Sequence, residues 1–212
     1  MVRGSKERNS KQRILACAAE LFAAKGFTET SIRDLAAAVG MKGASIYNHF
    51  PSKNAILTYM LEDYSAYNND IFKDKNISRI LRENPTTDGV LACVHLAFPE
   101  DRAEYYLKIL CVLLQEQFRN PIVREYVAEQ FILRTELNTK RIIAVLKELG
   151  AIRQDTDPDY WMKITSSLFY SSATRLMLGI SDNAPGFIGM GLVEILRYTF
   201  DMMFARCGAI RD

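Results

Sequence analysis

Side chains able to hold phosphates and read base edges crowd into one stretch, SIRDLAAAVGMKGASIYNHFPSK, residues 31–53. Within it, Lys42, Gly43, Ala44, Ser45, Asn48 and His49 fall on the exposed positions of a short helix. They are small or hydrogen-bonding, and none is acidic. That chemistry suits a phosphate-lined groove, where amides and hydroxyls pair with base edges and an acid would be repelled. Just upstream, Thr30 and Ser31 offer hydroxyls at a helix start, where free backbone N–H groups also favour an anion. A plain capping role fits them equally well. Arg33, in the first turn, points outward as a base or phosphate contact. Lys53 sits in the first turn of a later helix and is expected to reach a phosphate. Tyr47 is expected to bury its ring and to present its hydroxyl.

These residues need a frame. Ser31 and Asp34 form a capping box, and Leu35, Ala36 and Val39 make one apolar helical face. Gly40 ends that helix, where a left-handed conformation is wanted. Met41 is expected to be a buried anchor, and Ile46, Tyr47 and Phe50 form the inner face of a second helix over 42–50. Ala36 is small enough for a close crossing, and Ile46 fills the wedge. The spacing predicts a helix-turn-helix whose second helix enters the DNA major groove. An ordinary helical hairpin is the competing reading.

The flanking residues favour the first reading. RILACAAELFAAKGF (13–27), TSIRDLAAAVG (30–40) and SIYNHFPSKNAIL (45–57) resemble the DNA-binding domain of the tetracycline-repressor (TetR) family of bacterial transcription regulators. The run Ile46, Tyr47, His49, Phe50, Lys53 is its most specific part. The resemblance covers about a quarter of the chain by motif. The sequence departs from the family pattern at Lys42, often Ser, and at Ala44, often Gly. The resemblance implies a phosphate role for the Tyr47 hydroxyl, and it implies a homodimer.

Composition sets the remaining bounds. The chain has 212 residues, 49% hydrophobic and 25% charged, as expected of a globular protein. No apolar run approaches the ~18 residues of a membrane span, and the polar, basic N-terminus predicts no secretory signal. Cys17, Cys93, Cys111 and Cys207 are scattered, and read as thiols of a reducing cytoplasm rather than disulfides or metal ligands. Residues 1–60 carry nine Lys/Arg against four acids, while residues 61–212 carry 18 against 21. A basic head on a mildly acidic body suits a DNA-binding module joined to a domain that avoids DNA.

The predicted fold is all-α. Residues 1–53 comprise an N-terminal arm, disordered over 1–10, and a three-helix helix-turn-helix domain. Residues 54–75 form a long connecting helix, and 76–212 a larger helical effector-binding and dimerisation domain. Breaks at Asn84-Pro85, Phe98-Pro99, Asn120-Pro121, Leu149-Gly150, Asp157-Pro158 and Ala184-Pro185-Gly186 imply helices near 86–98, 100–119, 121–149, 158–179 and 186–206. The last two are apolar around more than half their circumference. They are either the centre of a large core or a surface that pairs with a second copy as a four-helix bundle. The dimer is favoured, because one helix-turn-helix needs a partner to read a two-fold site.

A small-molecule pocket would draw on His95, Tyr106, Cys111, Gln115, Phe118, Tyr126, Gln130, Arg134, Trp161, Thr165 and Phe169. A few polar groups among aromatic ones describe such a pocket, and equally an ordinary helical core. No phosphate-binding loop, metal-ligand spacing or catalytic triad is present, and no cofactor or metal is expected. The sequence therefore predicts a cytoplasmic, sequence-specific regulator, a repressor released from an inverted-repeat operator by an apolar or aromatic effector. The alternative is an effector-independent architectural DNA-binding protein.

Overall fold

The computed structural model describes the backbone of residues 2–71, 74–96, 101–177 and 190–208. Eleven helices occupy them: α1 (Val2–Lys25), α2 (Ile32–Val39), α3 (Gly43–Tyr47), α4 (Lys53–Ile71), α5 (Asp74–Glu83), α6 (Thr87–His95), α7 (Ala103–Glu116), α8 (Pro121–Tyr126), α9 (Leu133–Glu148), α10 (Pro158–Met177) and α11 (Met190–Cys207). A π-helical segment, Val127–Ile132, joins α8 to α9. Among the described residues the β-structure is one isolated bridge, Ile152 with Gly208. The expected breaks at Pro99 and Pro185, and the helix start at 186, lie outside the described residues.

The helix starts follow local chemistry. Asn120 caps α8 by accepting the Ile122 N–H at 3.0 Å, with Pro121 in the first turn. Ser52 Oγ accepts the Ala55 N–H at 3.0 Å and opens α4. Asp157 accepts the N–H groups of Asp159 and Tyr160 ahead of α10. In each case a side-chain oxygen satisfies donors that the first turn leaves without a helical partner.

Three sequence expectations change. The arm is helical: α1 runs back to Val2, because Lys, Glu, Arg and Gln around Ser5–Arg13 extend a helix already seeded by the core residues that follow. The 121–149 helix is interrupted by the π-helical turn. The second helix of the helix-turn-helix has five helical residues instead of spanning 42–50, although Phe50 N–H still bonds Ile46 O at 2.9 Å.

The chain forms two compact units. The first comprises Met1–Ala66 and Asp101–Val127, and the second Tyr67–Glu100 and Ala128–Asp212. In the first, Ile14, Ala18 and Phe22 of α1 are fully buried together with Leu35, Ile46, Ile56 and Ile109. Arg13 of α1 donates to Val39 O at 2.7 Å and so caps the end of α2. In the second unit, Leu81, Val90, Ile143, Leu146, Trp161 and Phe200 anchor the core shared by α5, α6, α9, α10 and α11. Arg153 N–H, bonded to Cys207 O at 2.7 Å, ties the α9–α10 turn to the end of α11. Stretch 101–127, assigned from sequence to the large second domain, thus packs with the N-terminal helices.

Candidate nucleic-acid interface

The geometry of the helix-turn-helix comes from two ends of α2. At its start, Ser31 Oγ accepts the Asp34 N–H at 3.1 Å, and the Asp34 carboxylate accepts the Ser31 N–H at 2.8 Å and the Ser31 hydroxyl at 2.6 Å. The hydroxyl bond, then the backbone bond, holds the Asp34 carboxyl below its ordinary value. At its end, Gly40 takes φ 71°, and the Met41 N–H returns to Ala36 O at 2.8 Å. Ala36 is buried, and Ile46 is fully buried in the wedge, as the spacing predicts.

α3 then presents its outer face. Lys42, Ala44 and Asn48 are exposed, and Gly43, Ser45 and His49 are half-buried. Asn48 ends the helix with its side chain in solvent, and Arg33 is exposed on the first turn of α2. The outer face of α3 carries a cation, an amide and hydroxyls and no acid. It can donate to phosphates and pair with base edges. His49 adds a buried Nδ1 that has no hydrogen-bond partner among the described residues.

Four residues stand differently from expectation. Thr30 is fully buried, and its hydroxyl donates to Gly26 O at 2.9 Å, so it braces the turn before α2 instead of facing a phosphate. Tyr47 is 54% exposed, because Ile46 and Phe50 already fill the inner face. Met41 is half-buried. Lys53 donates its ammonium to the carbonyls of Phe27, Thr28 and Thr30 at 2.7, 3.2 and 2.7 Å, over the Phe27 ring at 4.5 Å. Three carbonyl oxygens and a ring face hold the charge inward, and this replaces the phosphate contact expected of Lys53.

Sequence reasoning overlooked Glu116. It is 5% exposed, and its carboxylate accepts the Phe27 N–H at 2.9 Å. The signal was an acid on the face of α7 defined by Ile109, Val112 and Leu113, at helical spacing from all three.

The expected effector residues do not gather within either unit. In the first unit, Tyr106 is fully buried edge-on to Tyr64 at 5.1 Å, and Cys111 and Tyr126 are half-buried. Gln115 donates to Ala23 O at 3.1 Å, and Phe118 is 78% exposed. In the second unit, His95 is exposed, and Arg134 donates to Gln130 at 2.6 Å. Trp161 is core, and the Thr165 hydroxyl turns back to Trp161 O at 2.8 Å. Phe169, packed on Phe131 at 5.7 Å, lines a groove of about 380 Å³ with Thr135, Ser166 and Tyr170. Among the described residues no group of three His, Cys, Asp or Glu could hold a metal ion, and no helix is long and apolar enough to cross a membrane.

A buried Ile46 wedge, a left-handed Gly40 and an acid-free outer face on α3 define a helix-turn-helix module of the DNA-binding type. Residues 14–60 match the profile of the bacterial regulatory proteins, tetR family. Over this N-terminal domain the chain is similar to the tetR family. It is 28% identical over 132 residues to the uncharacterized HTH-type transcriptional regulator YerO of Bacillus subtilis, covering 62% of this chain and 43% of that protein. It is 33% identical over 60 residues to the HTH-type transcriptional repressor KstR2 of Mycolicibacterium smegmatis, covering 28% and 29%. The chain thus spans less than half the length of these curated relatives. The whole fold resembles that of a proposed TetR-family transcriptional regulator from Mesorhizobium loti, with TM-score 0.68, 18% identity, and 96% and 98% of the two chains covered. It also resembles the ketosteroid transcriptional regulator KstR2 of Mycobacterium tuberculosis, with TM-score 0.60, 18% identity, and 93% and 94% covered.

Proposed function

We propose that this protein is a homodimeric, sequence-specific transcriptional repressor that a small-molecule effector releases from an inverted-repeat operator. The observation that carries the reading is α3: a short helix seated on a buried wedge, with an outer face free of acids, inside a domain that matches the tetR profile. Arg33, Lys42 and the Tyr47 hydroxyl contact phosphates, while Ser45, Asn48 and His49 read base edges. Ser31 keeps its place at the interface through the N–H groups of the α2 start.

The exposure along α10 and α11 supports a dimer through these helices. Tyr198 is 68% exposed, and Ile164, Leu168, Val193 and Met202 are only half-buried. Ile164, Val193 and Met202 pack on the core of their own unit and keep part of their surface accessible, and Tyr198 stands out from α11; a second copy would cover what they leave exposed. Two recognition helices would then address major grooves about one helical turn, or a multiple, apart. The effector acts by binding better to a form whose helices are mis-spaced, with coupling of about 1–3 kcal/mol. The protein has no catalytic role in this reading, and it works in the cytoplasm.

The test combines sedimentation with DNA titration. A dimer at micromolar concentration that binds a recovered genomic fragment, and that small molecules from cell extract release, supports the reading. A protein that binds the fragment alike with every extract fraction is instead the effector-independent form.

A further inference from the structure

We propose that Glu116 is a positioning residue for DNA binding, through which the corner between α7 and α8 sets the turn that launches the helix-turn-helix. The proposal rests on the regulator reading above and names a route within it. Glu116 occupies a face of α7 where Ile109, Val112 and Leu113 are fully buried. An apolar side chain would pack there without the desolvation that a carboxylate suffers. What the carboxylate adds is one directed bond, to the Phe27 N–H at 2.9 Å.

Phe27 lies in the turn between α1 and α2, and that turn is gripped from two sides. Lys53 of α4 holds its carbonyls at Phe27, Thr28 and Thr30, and Glu116 of α7 holds its N–H. Gly26 opens the turn at φ 87°, and a Cβ there would stand 3.5 Å from Glu116 Oε1, so the carboxylate lies directly against the turn. Four residues beyond Phe27, Ser31 begins α2. A displacement of the turn is therefore a displacement of the helix-turn-helix.

The other end of the route is the backbone of the same residue. Glu116 O accepts the N–H groups of Arg119 at 2.9 Å and Asn120 at 2.8 Å, and Asn120 caps α8. α8 runs on through the π-helical turn into α9. A shift of this stretch has a covalent path to Glu116, and one hydrogen bond from there to Phe27. That path is separate from α4. A bond of 2.9 Å tolerates only a few tenths of an ångström before it weakens.

The experiment compares Glu116→Gln, Glu116→Asp and Glu116→Ala in the full chain. Affinity for a genomic fragment recovered by the unsubstituted protein is measured at a temperature where circular dichroism shows each variant fully folded. Exchange of the Phe27 amide is followed by NMR. Glutamine keeps the acceptor, so E116Q should stay within about threefold of wild-type affinity, with Phe27 protected. E116D, one methylene short, and E116A should bind about tenfold or more weakly and expose the Phe27 amide. Should E116A fail to fold, the contrast between E116Q and E116D decides.

Folded E116D or E116A binding as wild type overturns the proposal. So does E116Q losing affinity while its Phe27 amide stays protected. If the unsubstituted protein recovers no fragment, the regulator reading fails. The DNA-binding role of Glu116 falls with it, and whether Glu116 nonetheless holds the turn is read from Phe27 exchange, which should be at least about tenfold faster in E116A or E116D than in E116Q.

Discussion

Lys53 shows how one side chain can be given the wrong partner by its position alone. A lysine in the first turn of a helix beside a DNA-binding face reads as a phosphate contact, yet its ammonium here is held by three carbonyls and a ring. Lys53→Ala should therefore lower the stability of the N-terminal unit by about 1–2 kcal/mol in thermal or urea unfolding. The slope of log affinity against log salt should stay as it was. Arg33→Ala should do the reverse, leaving stability unchanged and reducing that slope by about one. Equal slope changes for the two would return Lys53 to the interface.

The thiols divide by burial. Cys93 is buried, and desolvation pushes its thiol up to about 11, with Arg79 pulling the other way. Its proton is held more tightly in the folded chain. The stability this contributes is complete below the unfolded value near 9 and is lost as pH rises toward 11. Iodoacetamide at about pH 8 should label half-buried Cys17 first, and Cys93 only after denaturation, as read by peptide mass. Labelling of Cys93 in the native protein at the rate of Cys17 would contradict its burial.

At the scale of the element, α2 depends on its cap. Ser31→Ala removes one half of the capping box and should cost about 1 kcal/mol of stability. The Asp34 carboxyl lies below its ordinary value because it accepts from Ser31. Its contribution is thus present above the unfolded carboxylate range and is lost as pH falls through the lower folded value. The stability gap between wild type and Ser31→Ala should shrink as the solution is acidified. A gap independent of pH would mean that Asp34 does not work through Ser31.

Elements were legible where local chemistry announces them. Ser31 with Asp34, Gly40, Asn120-Pro121 and Asp157-Pro158 each mark a helix end by a side chain acting on its own neighbourhood. Residues 1–10 and 127–132 carry no such mark. Nothing local distinguishes a polar arm from the continuation of α1, and a π-turn inserts no characteristic residue. Partners far apart in the chain were hidden for the same reason. Lys53 with Phe27, 26 residues apart, depends on how the turn folds over α4. Glu116 depends on α7 packing beside α1, 89 residues away in sequence. The effector residues suffered most, since Phe118 and His95 could be placed only after the helices were.

At the scale of the molecule, charge and architecture agree. The net positive charge lies in the first 60 positions, nine Lys/Arg against four acids, and that segment carries the helix-turn-helix, while the proposed dimer would pair through α10 and α11. The central claim joins these facts: two copies read one two-fold DNA site through α3. The most direct test is selection and footprinting of genomic fragments with the purified protein at about 150 mM salt, where non-specific phosphate binding is weak. The account predicts a protected inverted repeat whose half-sites lie about one helical turn or a multiple apart, with Asn48→Ala changing the preferred bases. Diffuse protection that fades with salt and shows no repeat would contradict it.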